Sequence, residues 1–158
     1  MRLAVKLLLG WFALFGLGIG LWQAVLPASF HADFPGTGHH WVSPDGPYDE
    51  HLLRDVGLGN LAVGTVALVA LLSGGVWLAR AVGLAVVVTN LPHQLYHQAH
   101  VSVLPTVTDQ VLQSISLGAV SLAAIALVVL TSRLPASASA STPTAPRSGS
   151  RAPAPTHL

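Results

Sequence analysis

Three histidines close one apolar segment of this chain: His93, His97 and His100 stand at i, i+4 and i+7, which puts them on a single helical face. Three imidazoles on one face are a ligand set for zinc, copper or iron. The set lacks the glutamate of the HExxH arrangement, so spacing alone does not separate it from interfacial histidines that cap helix carbonyls. A second group opens an earlier segment. Glu50 and Arg54 are four apart, as are His51 and Asp55, so two complementary pairs occupy neighbouring strips of one helical turn. His39 and His40 lie in the loop before them. Converging, these groups would make a mixed imidazole and carboxylate cluster able to bind a metal or a quinone-like headgroup and to relay protons near neutral pH. Haem fits less well, because axial histidines face each other across a bundle interior. The central spans of the first and fourth segments carry no histidine, which leaves only His51 with His93 or His97. The competing reading is structural: the pairs are complementary, and a closed ion-pair network that locks loop to helix needs no ligand. No catalytic motif of known mechanics occurs, so the sequence points to no reaction.

The elements that must carry these residues are apolar runs long enough to cross a membrane. About 20 helical residues span roughly 30 Å of hydrocarbon, and four such helices are predicted over about 7–26, 47–72, 76–97 and 109–131. Gly74-Gly75 separates the second from the third, and Pro105 with the stretch to Asp109 separates the third from the fourth. The expected fold is therefore all-α, an integral membrane four-helix bundle over residues 1–133, with an outer loop at 27–46. The first run, preceded by Arg2 and Lys6, is read as a retained helix, since its length exceeds the roughly 7 to 15 apolar residues of a signal peptide. Within it Gly16, Gly18 and Gly20 are expected to let a neighbouring helix approach closely, as are Gly57, Gly59 and Gly64, with Asn60 supplying one interhelical hydrogen bond.

The loop is dense in glycine and proline. Ser43-Pro44-Asp45-Gly46 has the residues of a type I turn, and Pro47 suits the first position of the helix that follows, with Asp49 and Glu50 in its first turn. Whether such a loop folds back over the bundle or stands free is not encoded in its composition. Residues 134–158 are rich in Ala, Ser, Pro and Thr, without apolar periodicity, and are expected to form a disordered tail.

Composition excludes several classes. Of 158 residues, 52% are hydrophobic and only 8% charged, against roughly 25% in soluble domains, so the polar surface of a soluble fold is missing. A net charge of +1 gives no electrostatic footprint for nucleic acid. With no cysteine, a thiolate metal site, an iron–sulfur cluster and a disulfide are all ruled out.

Charge placement predicts orientation. Arg2, Lys6, Arg80, Arg133, Arg147 and Arg151 fall at one end of a four-helix topology, which makes that end, and both termini, cytoplasmic. The opposite end then receives all six acids (Asp33, Asp45, Asp49, Glu50, Asp55 and Asp109), Arg54, and every histidine except His157. The expected setting is the plasma membrane of a bacterium, with the lipid bilayer and either a membrane-protein partner or a second copy of the chain as partners.

Phe34-Pro35-Gly36, His39-His40-Trp41-Val42, Gly46-Pro47-Tyr48 and the run Glu50 to Gly57 together resemble a group of uncharacterised actinobacterial membrane proteins and, more distantly, the DoxX-like four-helix family. The resemblance covers roughly residues 34–64, with 93–97 as a second patch, and elsewhere rests on hydropathy. It implies a four-helix membrane fold and a loose association with respiratory or quinone-linked complexes, without catalytic residues to carry over. Two functions remain open: an accessory or scaffold protein whose outer cluster is a structural lock, or a metal- or quinone-binding site for redox or proton transfer.

Overall fold

A computed structural model describes residues 1–135. From residue 136 the tail, including Arg147, Arg151 and His157, lies outside the described residues, and with it most of the segment expected to be disordered.

The described chain is helical, with five α-helices and one minimal hairpin: α1 (Leu3–Val25), α2 (Pro27–Asp33), β1 (Pro35–Gly36), β2 (His39–His40), α3 (Glu50–Ser73), α4 (Val76–Ala99) and α5 (Val107–Ser132). A single 3-10 turn at Val101–Val103 joins the last two helices. Four of the helices are long and apolar enough to cross a membrane. The shortest of them, at 23 residues, is about 34 Å long at 1.5 Å per residue. Their outward faces stay apolar, with Leu14, Val88 and Leu122 each 70% exposed. A helix bundle in water would turn polar residues outward instead.

The bundle consists of two antiparallel pairs. Where α1 crosses α3, a Cβ added at Gly64 would stand 2.6 Å from the Leu17 backbone nitrogen, and one added at Gly20 would stand 2.7 Å from that of Leu61. Gly16 and Gly57 meet backbone equally closely, so these four positions need glycine for lack of room. Gly18 and Gly59 face open space, because helical periodicity turns them away from the seam that Gly16, Gly20, Gly57 and Gly64 line. Asn60 Nδ2 donates to Gln23 Oε1 at 2.7 Å across the same seam.

Helices α4 and α5 are joined by polar side chains at successive heights. Arg80 Nη2 donates to the Thr131 carbonyl at 2.7 Å, Asn90 Nδ2 to Ser121 Oγ at 2.9 Å, Ser121 Oγ to Gln94 Oε1 at 2.6 Å, and Gln98 Nε2 to Ser114 Oγ at 2.8 Å. The apolar core, which includes Val5, Leu9, Phe12, Ala67, Ala79, Val82 and Leu127, lies toward the end that carries Arg2 and Arg80. Buried polar side chains Gln23, Asp109 and Gln113 lie toward the other end.

Local signals explain the helix ends. Gly74 takes a left-handed backbone (φ 70°) and its N–H bonds the Ala70 carbonyl, closing α3. The same helix begins at Glu50 rather than at Pro47, because the Asp49 carboxylate accepts the Leu52 N–H at 3.0 Å and makes Asp49 the N-cap. In the outer loop, the hydrogen-bonded turn joins Asp45 N–H to the Val42 carbonyl at 3.0 Å, one residue earlier than the Ser43–Gly46 turn expected. The Gly46 carbonyl accepts from His31 Nε2 at 3.0 Å, which ties this turn to the segment before the hairpin. Seven residues of the loop form α2, started by Pro27 at its first position. Beyond it the β1–β2 hairpin turns through Thr37 and Gly38, both at positive φ, as a two-residue primed turn requires.

Candidate functional site

The outer loop is drawn onto the start of α5 by one carboxylate. Asp109 is 6% exposed, and its Oδ1 accepts from His39 Nδ1 at 2.6 Å and from Trp41 Nε1 at 3.0 Å. Its Oδ2 accepts from the Thr106 hydroxyl at 2.5 Å, while the Thr106 oxygen accepts the Asp109 backbone N–H at 3.0 Å. The second half of this arrangement is an N-cap with an acid three residues on, and it sits where the helix dipole favours negative charge. A buried carboxylate without donors would be strongly unfavourable; here three donors converge on it, two of them from the loop.

An aromatic chain supports the loop from below. Trp22 and Phe30 pack edge to face at 5.4 Å between ring centroids, as do Phe34 and Trp41 at 6.0 Å, and Phe30 and Phe34 pack tilted at 4.6 Å. Trp41 therefore has an apolar body against Phe34 and a polar tip on Asp109, the two-ended placement its indole allows. His40 serves the loop itself, its Nδ1 donating to the Ala32 carbonyl at 2.5 Å.

The pairs at the start of α3 form as their spacing predicts but remain separate. Arg54 Nε and Nη2 each stand 2.9 Å from Glu50 Oε1, and Arg54 Nη1 donates to the carbonyl of Ala24 in the last turn of α1. That last contact ties α3 to a carbonyl that the end of a helix leaves unpaired. His51 Nδ1 and Asp55 Oδ2 are 3.3 Å apart with side chains 89% and 60% exposed, a setting in which an ion pair contributes little.

On α4, His93 and His97 stand edge to face with ring centroids 4.5 Å apart. His100 leaves them: its ring stacks on Tyr96 at 4.3 Å, and its Nδ1 donates to the Tyr96 carbonyl at 2.9 Å. The Asp45 carboxylate lies within coulombic reach of both His93 and His97. The structure thus brings His93 and His97 together, and sends His39, His40 and His100 to partners of their own. Among the described residues, no three His, Asp or Glu side chains come close enough together to hold a metal ion.

Asp109, Trp41 and Thr106 were not among the site residues singled out from sequence. A local signal for part of the arrangement was present: Thr106 and Asp109, three apart and just after Pro105, have the spacing of a capping box. Their long-range partners, about 70 positions upstream, have no such signature.

No family model matches the chain, and neither a curated protein nor a solved structure does.

Proposed function

We propose that this chain is a multi-pass protein of a bacterial plasma membrane, with both termini cytoplasmic, that serves as an accessory or scaffold component and uses its outer polar cluster as a structural lock. The apolar outward faces of four long helices support the membrane setting. Arg2, Lys6, Arg80 and Arg133 support the orientation, since antiparallel pairing gathers them at one end and cytoplasmic flanks are enriched in such residues. The observation that carries the lock is Asp109, whose two oxygens take three donors and hold the loop to α5. The partner of such a scaffold is another membrane protein or a second copy of the chain, and membership of the actinobacterial, distantly DoxX-like group belongs to the same proposal.

The absence of native cysteine allows a direct test. In intact cells, a membrane-impermeant maleimide is expected to label Thr37→Cys in the hairpin and to leave Ser73→Cys, at the α3–α4 turn, unlabelled until the cells are opened. The reverse pattern would refute the orientation. Crosslinking in native membranes tests the scaffold role: a chain that remains monomeric and unpartnered at native abundance has nothing to scaffold.

One observation favours a second reading. The adjacent His93 and His97 rings, with Asp45 nearby, are the part of the outer end best placed to take up zinc, copper or iron, or a quinone-like headgroup, for redox or proton transfer. Metal analysis and an absorption spectrum of the purified protein, beside a folded His93→Ala, His97→Ala double variant, decide it. Stoichiometric metal or a chromophore lost in the variant supports this reading, and metal-free, colourless wild type removes its metal form.

A further inference from the structure

Where α1 ends, α2 starts and α3 enters the bundle, the surface opens into a recess of about 450 Å³, within the range of ligand pockets. Leu26 and Ala28 form apolar wall, and Ser29, Tyr48, Glu50 and Arg54 supply polar groups. In the membrane reading above, on which this inference rests, that junction lies at the level of the lipid headgroups. Trp22 and Tyr48 flank it, as interfacial aromatics do. Trp22 Nε1 reaches Ser29 Oγ at 3.3 Å, and the Tyr48 ring packs against His31 at 5.5 Å between centroids. Partial desolvation, and then the Glu50 carboxylate nearby, push the Tyr48 hydroxyl above its ordinary pKa.

The two charges in the recess are opposite, one helical turn apart, and both accessible, at 57% exposure for Glu50 and 44% for Arg54. Arg54 has five N–H donors, and its contacts to Glu50 and the Ala24 carbonyl occupy three of them, which leaves two for a ligand. An anionic headgroup would meet Glu50, and a cationic one would meet Arg54. A headgroup carrying a phosphate and an ammonium a few ångströms apart matches both. A primary ammonium suits Glu50 better than a quaternary one, because it can donate hydrogen bonds to a carboxylate.

We propose that this recess binds the headgroup of an amine-bearing zwitterionic phospholipid, its phosphate on Arg54, its ammonium on Glu50, and its acyl chains running past Leu26 along the outside of α1.

The full chain in mild detergent, titrated with phosphatidylethanolamine, phosphatidylcholine or phosphatidylglycerol, provides the test. Phosphatidylethanolamine is expected to raise the thermal unfolding midpoint by roughly 5 °C at about tenfold excess over its dissociation constant, and the other two lipids to raise it less. Ala28→Phe fills the recess without replacing either charged residue and should abolish the difference between lipids while keeping the lipid-free midpoint. Glu50→Gln should bring phosphatidylethanolamine down to the level of phosphatidylcholine. Equal stabilisation by all three lipids, or an undiminished phosphatidylethanolamine preference in Ala28→Phe, would overturn the proposal. Alkaline washing of the source membranes separates this from the reading it rests on. A chain washed off the membrane undoes the membrane assignment, whereas a chain that stays on without a lipid preference undoes the recess alone.

Discussion

Helices α1 and α3 meet backbone to backbone where Gly16, Gly20, Gly57 and Gly64 remove the side chains, whereas α4 and α5 are joined by Asn90, Gln94, Gln98, Ser114 and Ser121 reaching across their seam. Both pairs face the same difficulty. In the proposed membrane setting the hydrocarbon around a helix is as apolar as its own leucines, so association there comes from close packing or from hydrogen bonds. The first pair rests chiefly on packing, with Asn60 bonding Gln23 across it, and the second carries a longer ladder of bonds, so the two respond differently to change. A backbone contact has no freedom to yield, while a ladder of side-chain bonds loses one rung at a time. Gly83 on α4 shows the contrast within one pair: the nearest atom to its added Cβ is Val128 Cγ2, a side-chain tip at 2.8 Å, with backbone no nearer than 3.2 Å.

The comparison can be broken most sharply at Gly64. Gly64→Val must force α1 and α3 apart and is expected to lower stability by about 3 kcal/mol or more, or to prevent accumulation in the membrane. Gly18→Val, facing open space on the same pair, should stay within about 0.5 kcal/mol of wild type in a thermal or denaturant titration. Equal damage from both would mean that the close approach does not hold the pair together.

Asp109→Ala removes the acceptor at the start of α5 that holds the loop, and leaves both helix seams intact. Hydrogen exchange at the Trp41 amide, bonded to the Phe34 carbonyl at 2.8 Å, is expected to accelerate on the order of tenfold or more as the loop opens locally. Unchanged exchange would show that the aromatic chain alone seats the loop. On the polar seam, a double-mutant cycle of Asn90→Ala with Ser121→Ala should give a coupling of only about 0.6 kcal/mol, the average for interhelical hydrogen bonds within a membrane. A coupling several times larger would make the ladder as unforgiving as the glycine seam. Smallest of all, His51→Ala should leave the unfolding midpoint where it is, since its contact with Asp55 lies in solvent.

Much of this architecture is legible from neighbouring residues. Four apolar runs, the Gly74-Gly75 break, the acid-rich start of α3 and the four-residue spacing of Glu50 with Arg54 are each written within a few positions of one another. The site was legible only in part. Spacing put His93, His97 and His100 on one face, yet His100 is the last residue before the 3-10 turn, and its side chain folds back on Tyr96. The short helix α2 was hidden inside a loop whose glycines and prolines signalled turns, because seven residues are too few to show a period.

What the sequence alone determined is the four long helices, their order and the end of the bundle at which acids and histidines collect, since apolar length, caps and breaks act through bonds between near neighbours. What only the tertiary structure decided is who meets whom across the bundle. It selected Gly16 and Gly20 over Gly18, gave Arg54 the Ala24 carbonyl, and brought His39 and Trp41 to Asp109. Those partnerships depend on the rotation and register of packed helices and on the path of a loop, quantities set by contacts among residues far apart in the chain.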